Sequence, residues 1–166
     1  GTYCAADKNT DGSRFNILSA VISFSTAVKA EQNNIKTVGI ITPYAAQVRL
    51  IRAMLKDYYT KGTTNVSCAT VHQFQGSESD VIVFDAVESY PKSAVGYLMG
   101  KEPNQVARLI NVAITRGKGK VITVANARFW ENVFKGTNHI FYKLLQHIKN
   151  GKHQVIDNHD KTLQPY

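Results

Sequence analysis

Four short runs of the chain are almost wholly apolar and β-branched: Val38–Thr42 (VGIIT), Val66–Thr70 (VSCAT), Val81–Asp85 (VIVFD) and Val121–Ala125 (VITVA). Polar and apolar positions hardly alternate within them, which is the pattern of strands covered on both faces of a parallel sheet. Helical periodicities lie between the runs. Ile17, Val21, Phe24 and Val28 predict the apolar face of a first helix, and Val48, Ile51, Leu55 and Tyr58 that of a second. Thr42 is placed to cap the second helix, with Pro43 at its first position. A third helix is expected from Pro103 to Arg116, stopped by Gly117. In it Val106, Leu109, Ile110 and Ala113 oppose a polar stripe of Asn104, Arg108, Asn111 and Thr115. A fourth helix carries Phe141, Leu144, Leu145 and Ile148 on one face.

Strands alternating with helices predict an α/β domain built on a parallel sheet with right-handed crossovers. It occupies residues 1–150. Residues 151–166 (GKHQVIDNHDKTLQPY) form a polar tail, and Ser89–Pro103 reads as a polar, glycine-bearing loop. The chain opens directly on a strand-like Thr2–Ala5, so a piece of a larger protein is expected. There is no internal repeat.

Composition narrows the class. At 166 residues, 43% hydrophobic and 19% charged, the chain is globular. No apolar run reaches the ~18 residues a membrane helix needs, and the first residues lack a signal-peptide pattern. Two cysteines, Cys4 and Cys68, cannot form a disulfide framework or a four-ligand zinc site. His139, His147, His153 and His159 show no metal-ligand spacing, so no metal site is expected. A reducing, cytoplasmic location is the default. The net charge is +8, and residues 101–166 hold 11 basic against 4 acidic side chains. That asymmetry suits a polyanion such as nucleic acid; a solvated basic surface is the alternative.

Ligands on open parallel sheets bind beyond the C-terminal strand ends. Three polar segments are expected to gather there: Thr42–Gln47 (TPYAAQ), Thr70–Asp80 (TVHQFQGSESD) and the helix end Thr115–Lys118 (TRGK). Each has an ordinary alternative. Gly76 is a turn glycine, Glu78 a surface acid and His72 a structural histidine. Arg116 complements a helix C-terminus, and Arg108 and Asn111 belong to a solvated face.

Together ITPYAAQ, TVHQFQGSESDVIVFDAVES and RLINVAITRGKGKVITVAN resemble, in order and spacing, motifs IV, V and VI of superfamily 1 helicases. Within that superfamily they resemble the family of the nonsense-mediated-decay RNA helicase and its DNA-helicase relatives. The resemblance covers about residues 13–126. It implies a RecA-like, P-loop NTPase-type domain with helices on both sheet faces and no Walker A motif of its own, the second of two motor domains. It further implies that Gly76 and Glu78 approach nucleotide phosphate and ribose and that Arg116 is an arginine finger for phosphoryl transfer. By the same resemblance Arg108, Asn111 and Gln75 would support these motifs. Thr42, Pro43, Tyr44, Thr70 and His72 would contact single-stranded DNA or RNA without reading its sequence.

Two positions depart from the family pattern. Ser19 stands where an NxxEA motif carries its acid, and Glu88 stands where Val-Arg-Ser is usual, which makes an anion contact at Glu88 doubtful. The stretch Gly96–Glu102 has one residue too few between its glycines for Walker A and lacks the Ser or Thr after Lys101. ATP and Mg²⁺ are therefore expected in the full-length protein, held mainly by a first RecA-like domain, with none bound by this chain alone. The isolated chain is expected to be inactive. The competing expectation is a non-catalytic nucleic-acid-binding module on a degenerate helicase fold.

Overall fold

Hydrogen bonding joins the four apolar runs into one parallel sheet, in the order β4-β3-β5-β6. The computed structural model describes residues 5–60, 62–100 and 103–151. In chain order the elements are β1 (Ala6–Lys8), β2 (Arg14–Asn16), α1 (Ile17–Gln32), β3 (Val38–Thr42), α2 (Ala45–Tyr58), β4 (Val66–Thr70), β5 (Ser79–Asp85), α3 (Tyr97–Gly100), α4 (Pro103–Ile114), β6 (Gly117–Val124), α5 (Ala127–Phe134) and α6 (Ile140–Asn150). β1 and β2 form a separate antiparallel pair. The expected 151–166 tail and the Thr2–Ala5 strand lie almost wholly outside the described residues.

Burial on both faces explains why the strands lack alternation. Ile40, Val66, Cys68, Val81 and Val83 pack under α1 and α2. Ile41, Ala69, Ile82 and Phe84 pack under α4, α5 and α6. Neighbours such as Ile40 and Ile41 thus enter opposite cores, as the two-residue period of a strand requires.

Helix α1 buries only the C-terminal half of the face its apolar spacing predicts. Its buried residues are Ser19, Ala20, Ser23, Ala27 and Val28, while Ile17 is 63% exposed and Val21 41%. Small side chains let the helix lie close on the sheet; Ile17 and Val21 are turned outward, while Val28 is buried and Phe24 packs partly buried against the core. Phe24 meets Tyr58 edge to face at 5.6 Å, and Tyr58 itself remains exposed. In α4 the prediction agrees with the structure: Val106, Leu109, Ile110 and Ala113 are buried and the polar stripe is exposed.

Several boundaries shift for identifiable reasons. Tyr44, not Thr42, is the N-cap of α2 and makes no side-chain capping bond. Ser13, from the turn before β2, accepts from the Ala46 amide at 3.0 Å in its place. Helix α4 stops at Ile114, two residues early, because Gly117 is the first residue of β6 rather than a helix cap. Strand β5 begins at Ser79 and β6 at Gly117, since those two residues are register partners. The 89–103 loop contains the single turn α3. Helix α5 has no expectation in the sequence reading. Asn126 caps it by accepting from the Phe129 amide, and its buried Phe129 and Trp130 join Phe141 in an aromatic cluster.

Candidate functional site

The three polar segments do not share one edge of the sheet. A helix that feeds a parallel strand delivers its C-terminus to that strand's N-terminal end. Arg116 therefore sits at the start of β6, where its carbonyl accepts from the Ser79 amide at 2.9 Å. The 70–80 segment leaves the C-terminal end of β4 and enters the N-terminal end of β5, crossing from one edge to the other. Thr70 and His72 lie at the first edge; Gly76 and Glu78 lie with Arg116 and Lys118 at the second.

At the C-terminal edge, Thr42 and Thr70 are register partners on β3 and β4. A groove of about 440 Å³ opens beside them. Pro43, Tyr44, Thr70 and His72 line it, together with Lys8, Ser13 and Arg14, which no motif marks, and Gly96 and Leu98 of the stretch that falls short of Walker A. Thr42 is not at the surface: it is fully buried, its hydroxyl has no partner among the described residues, and its carbonyl accepts from the Val71 amide. Tyr44 is 5% exposed and its hydroxyl donates to Glu88, so it underlies the groove rather than projecting into it. Among the described residues no basic residue of the C-terminal third lines the groove; its charged members are Lys8, Asp11 and Arg14.

Behind the groove, four segments meet on one carboxylate. Glu88 is 1% exposed and accepts from Arg14 Nη1, the Tyr44 hydroxyl and, at 2.8 Å, the Gly96 amide. Arg14 Nη1 also donates to the Ala94 carbonyl at 3.0 Å. Burial pushes the Glu88 carboxyl above its ordinary range, outweighing the opposing pull of Tyr44, Gly96 and Arg14. The Tyr44 phenol is pushed up as well, by burial and then by the Glu88 charge. The acid at position 88 is thus an internal partner of Arg14, 74 residues away in the chain, and no local pattern announces that pairing.

A second buried network fixes the chain where it leaves β5. Asp85, 0% exposed, accepts from Gln47 Nε2 at 2.7 Å, Ser19 Oγ at 3.2 Å and the Val87 amide at 3.0 Å. Asn16 Nδ2 donates to the Val87 carbonyl at 3.0 Å. These bonds hold Val87 at φ 64, a left-handed conformation costing a β-branched residue ~1–3 kcal/mol, and so aim Glu88 inward. Ser19, at the place of the family's acid, is a member of this network. Burial raises the Asp85 carboxyl despite its donors.

At the N-terminal edge, Lys118 Nζ lies 3.3 Å from a Glu78 carboxylate oxygen, and both side chains are more than half exposed. Gly76 has φ +89, and nothing lies within 4 Å of where a Cβ would stand. That position needs glycine for its backbone and leaves room for a ligand to approach. Gln75 is exposed nearby. Arg116 is half-buried; its Nε donates to the Val112 carbonyl at 3.3 Å. Arg108 and Asn111 are exposed, with no side-chain hydrogen bond to the 70–78 segment among the described residues. A depression of about 370 Å³ lies beside Glu78, lined also by Thr37, Asn65 and Ser79 at the starts of three strands.

Among the described residues no group of three or more His, Cys, Asp or Glu side chains could hold a metal ion. His139 is taken up internally: Nε2 lies 2.7 Å from the Met99 carbonyl, the ring stacks on Phe134, and burial lowers its pKa. Cys68 is free and buried, its thiol pushed up to about 12 by burial. No helix among the described residues is long and apolar enough to cross a membrane.

The AAA domain family matches residues 5–128, more than half of the chain. Among curated relatives, the chain is 36% identical to Helicase sen1 of Schizosaccharomyces pombe over 90 residues, covering 54% of this chain and 5% of that protein. It is 31% identical to DNA polymerase alpha-associated DNA helicase A of the same organism over 128 residues, covering 77% of this chain and 17% of that one. It is 31% identical to Regulator of nonsense transcripts 1 of Caenorhabditis elegans over 135 residues, covering 77% of this chain and 11% of that one. The chain thus spans a small fraction of these relatives' length. With the parallel sheet clad by helices on both faces and these relatives beside it, the chain is a RecA-like domain that belongs to the AAA domain family, among the superfamily 1 helicases of the nonsense-mediated-decay type.

Proposed function

We propose that this chain is the second motor domain of an ATP-dependent superfamily 1 helicase or translocase, working across a cleft from a first RecA-like domain of the same polypeptide. ATP supplies the γ-phosphoryl group whose transfer to water drives the cycle, with Mg²⁺, on the first domain. The residues here fit a contribution from the opposite wall. Gly76 offers an open, left-handed backbone position that a phosphate can approach. Glu78 offers exposed carboxylate oxygens able to accept from ribose hydroxyls. Arg116, its Nε on the Val112 carbonyl and its Nη2 on the Thr115 hydroxyl, keeps further N–H donors able to meet negative charge spread over phosphate oxygens.

The observation that carries the proposal is the course of the 70–80 segment. One continuous stretch lines the groove at Thr70 and His72 and reaches the Arg116 edge at Gly76 and Glu78. A shift at the nucleotide end therefore moves the groove end, which is what coupling hydrolysis to stepping requires. In this reading Pro43, Thr70, His72 and Lys8 meet the single strand directly, and Thr42 and Tyr44 support them from beneath.

The test is binding of labelled single-stranded DNA and RNA to this chain, followed by fluorescence anisotropy from low to high salt. The expected result is a log–log slope near −0.7 for each phosphate contacted. Binding that ignores salt would contradict a backbone-gripping groove.

A further inference from the structure

The groove is close to electrically neutral where a polyanion site would be expected to be basic. Lys8 and Arg14 line it, but Asp11 lines it too, and Glu88 closes on Arg14 from behind. Lys8 and Asp11 are exposed, and Asp11 lies 3.6 Å from Arg49. Arg14 and Glu88 are different in kind: their side chains are 9% and 0% exposed. Among the described residues Arg14 is the one cation at the floor of the groove, and its Nη1 is committed to Glu88 and to Ala94.

The surroundings of the pair are built to hold that arrangement. Glu88 is aimed inward by the left-handed Val87. Its other oxygen is held by the Tyr44 hydroxyl and the Gly96 amide. Gly96 presses so close that a Cβ there would stand 2.8 Å from Arg14 Nε and 3.0 Å from Glu88 Oε1. Fixing the groove walls needs hydrogen-bond partners at these places, but it does not need a negative charge under a polyanion site. A negative charge there has a separate consequence: it cancels the field of Arg14 toward anything lying in the groove.

We propose that Glu88 is an affinity-limiting residue of this groove, holding the charge of Arg14 at the floor so that it does not grip the phosphates of a bound single strand. The inference rests on the groove being the single-strand site. A motor that must release its track at each step gains from such a masked cation, because every added phosphate contact deepens binding and slows release.

The experiment compares three forms of this chain binding a labelled single-stranded oligonucleotide: unsubstituted, Glu88→Gln, and Arg14→Met with Glu88→Gln. Glutamine keeps the size of the side chain and removes its charge. Glu88→Gln is expected to bind at least about fivefold more tightly, with a salt slope steeper by about 0.7, the increment for one further phosphate on a single strand. The added Arg14→Met is expected to abolish the gain. A merely structural role for Glu88 predicts weaker binding, not tighter. Equal or weaker binding by folded Glu88→Gln overturns the inference while leaving the groove in place. Absence of binding by all three chains overturns the groove and the inference together. Should Glu88→Gln alone not fold, the double substitution Arg14→Met with Glu88→Gln, which leaves no unpaired buried charge, asks the same question. A masked cation predicts affinity within about twofold of the unsubstituted chain, and a tenfold loss shows that Arg14 already grips the strand and overturns the inference.

Discussion

Replacing Gly96 by alanine places one methyl group at the junction of the buried network. The added Cβ would lie 2.5 Å from the Tyr44 hydroxyl oxygen, 2.8 Å from Arg14 Nε and 3.0 Å from Glu88 Oε1. The first two contacts are shorter than carbon tolerates and the third is tight, and each of these side chains is already committed to a bond. Overpacking of this kind costs ~1–3 kcal/mol. Displacing one hydrogen bond to the Glu88 carboxylate adds ~1.5–3 kcal/mol. A combined loss of about 2.5–6 kcal/mol corresponds to a fall in Tm of about 5–24 °C for a chain of this size. Trp130, the single tryptophan, is fully buried among aromatic rings, so its fluorescence follows unfolding. Gly62→Ala is the control, because nothing lies within 4 Å of its Cβ position; its stability is expected to stay within ~0.5 kcal/mol. A Gly96→Ala protein melting within about 1 °C of the unsubstituted one would refute the tight junction and the network argued from it.

Three further outcomes are expected. In the longer polypeptide that carries this domain, Arg116→Ala should lower ATP turnover by ~10³ or more while ATP affinity changes by less than about threefold; unchanged turnover would remove the arginine-finger role. Asn16→Ala removes both the cap of α1, the bond from the Ser19 amide at 3.1 Å, and the bond to the Val87 carbonyl. It should cost ~2–4 kcal/mol in urea unfolding, and a loss under ~0.5 kcal/mol would show that neither bond matters. Asp85 has a raised pKa in the fold, so the folded state holds its proton more tightly than the unfolded chain. The stability this contributes is complete below the ordinary carboxylate pKa and is lost as pH rises through the raised value. Asp85→Asn should remove that fall, and parallel stability–pH curves for the two proteins would contradict the raised pKa.

The strands were legible because burial on both faces leaves a dense apolar run that few other structures produce. The two register-paired residues Thr42 and Thr70 were therefore placed correctly on the sheet. Helix α1 was legible only in part: Val28 is buried as its spacing predicts, but Ile17 and Val21 turn outward, and serine and alanine make the close contact with the sheet beside them. The edge on which Arg116 lies follows from chain direction alone, since a helix preceding a parallel strand ends at that strand's start. The pairing of Arg14 with Glu88 was not legible. It joins residues 74 positions apart, and a single sequence carries no record of which distant charges meet. Glu88 could be noticed as a departure from the family pattern, but its partner required the fold. Helix α5 escaped because its eight residues hold only two buried side chains, Phe129 and Trp130, too few to display a period.

The central claim is that this domain completes an ATP site and couples it to a single-stranded track. The most direct measurement is ATP hydrolysis by the longer polypeptide carrying the domain, without polynucleotide, with single-stranded DNA and with single-stranded RNA. The account predicts low basal turnover, strong stimulation by at least one polymer, and loss of that stimulation in Arg116→Ala. Hydrolysis that no polymer stimulates, or no hydrolysis under any of the three conditions, would contradict it.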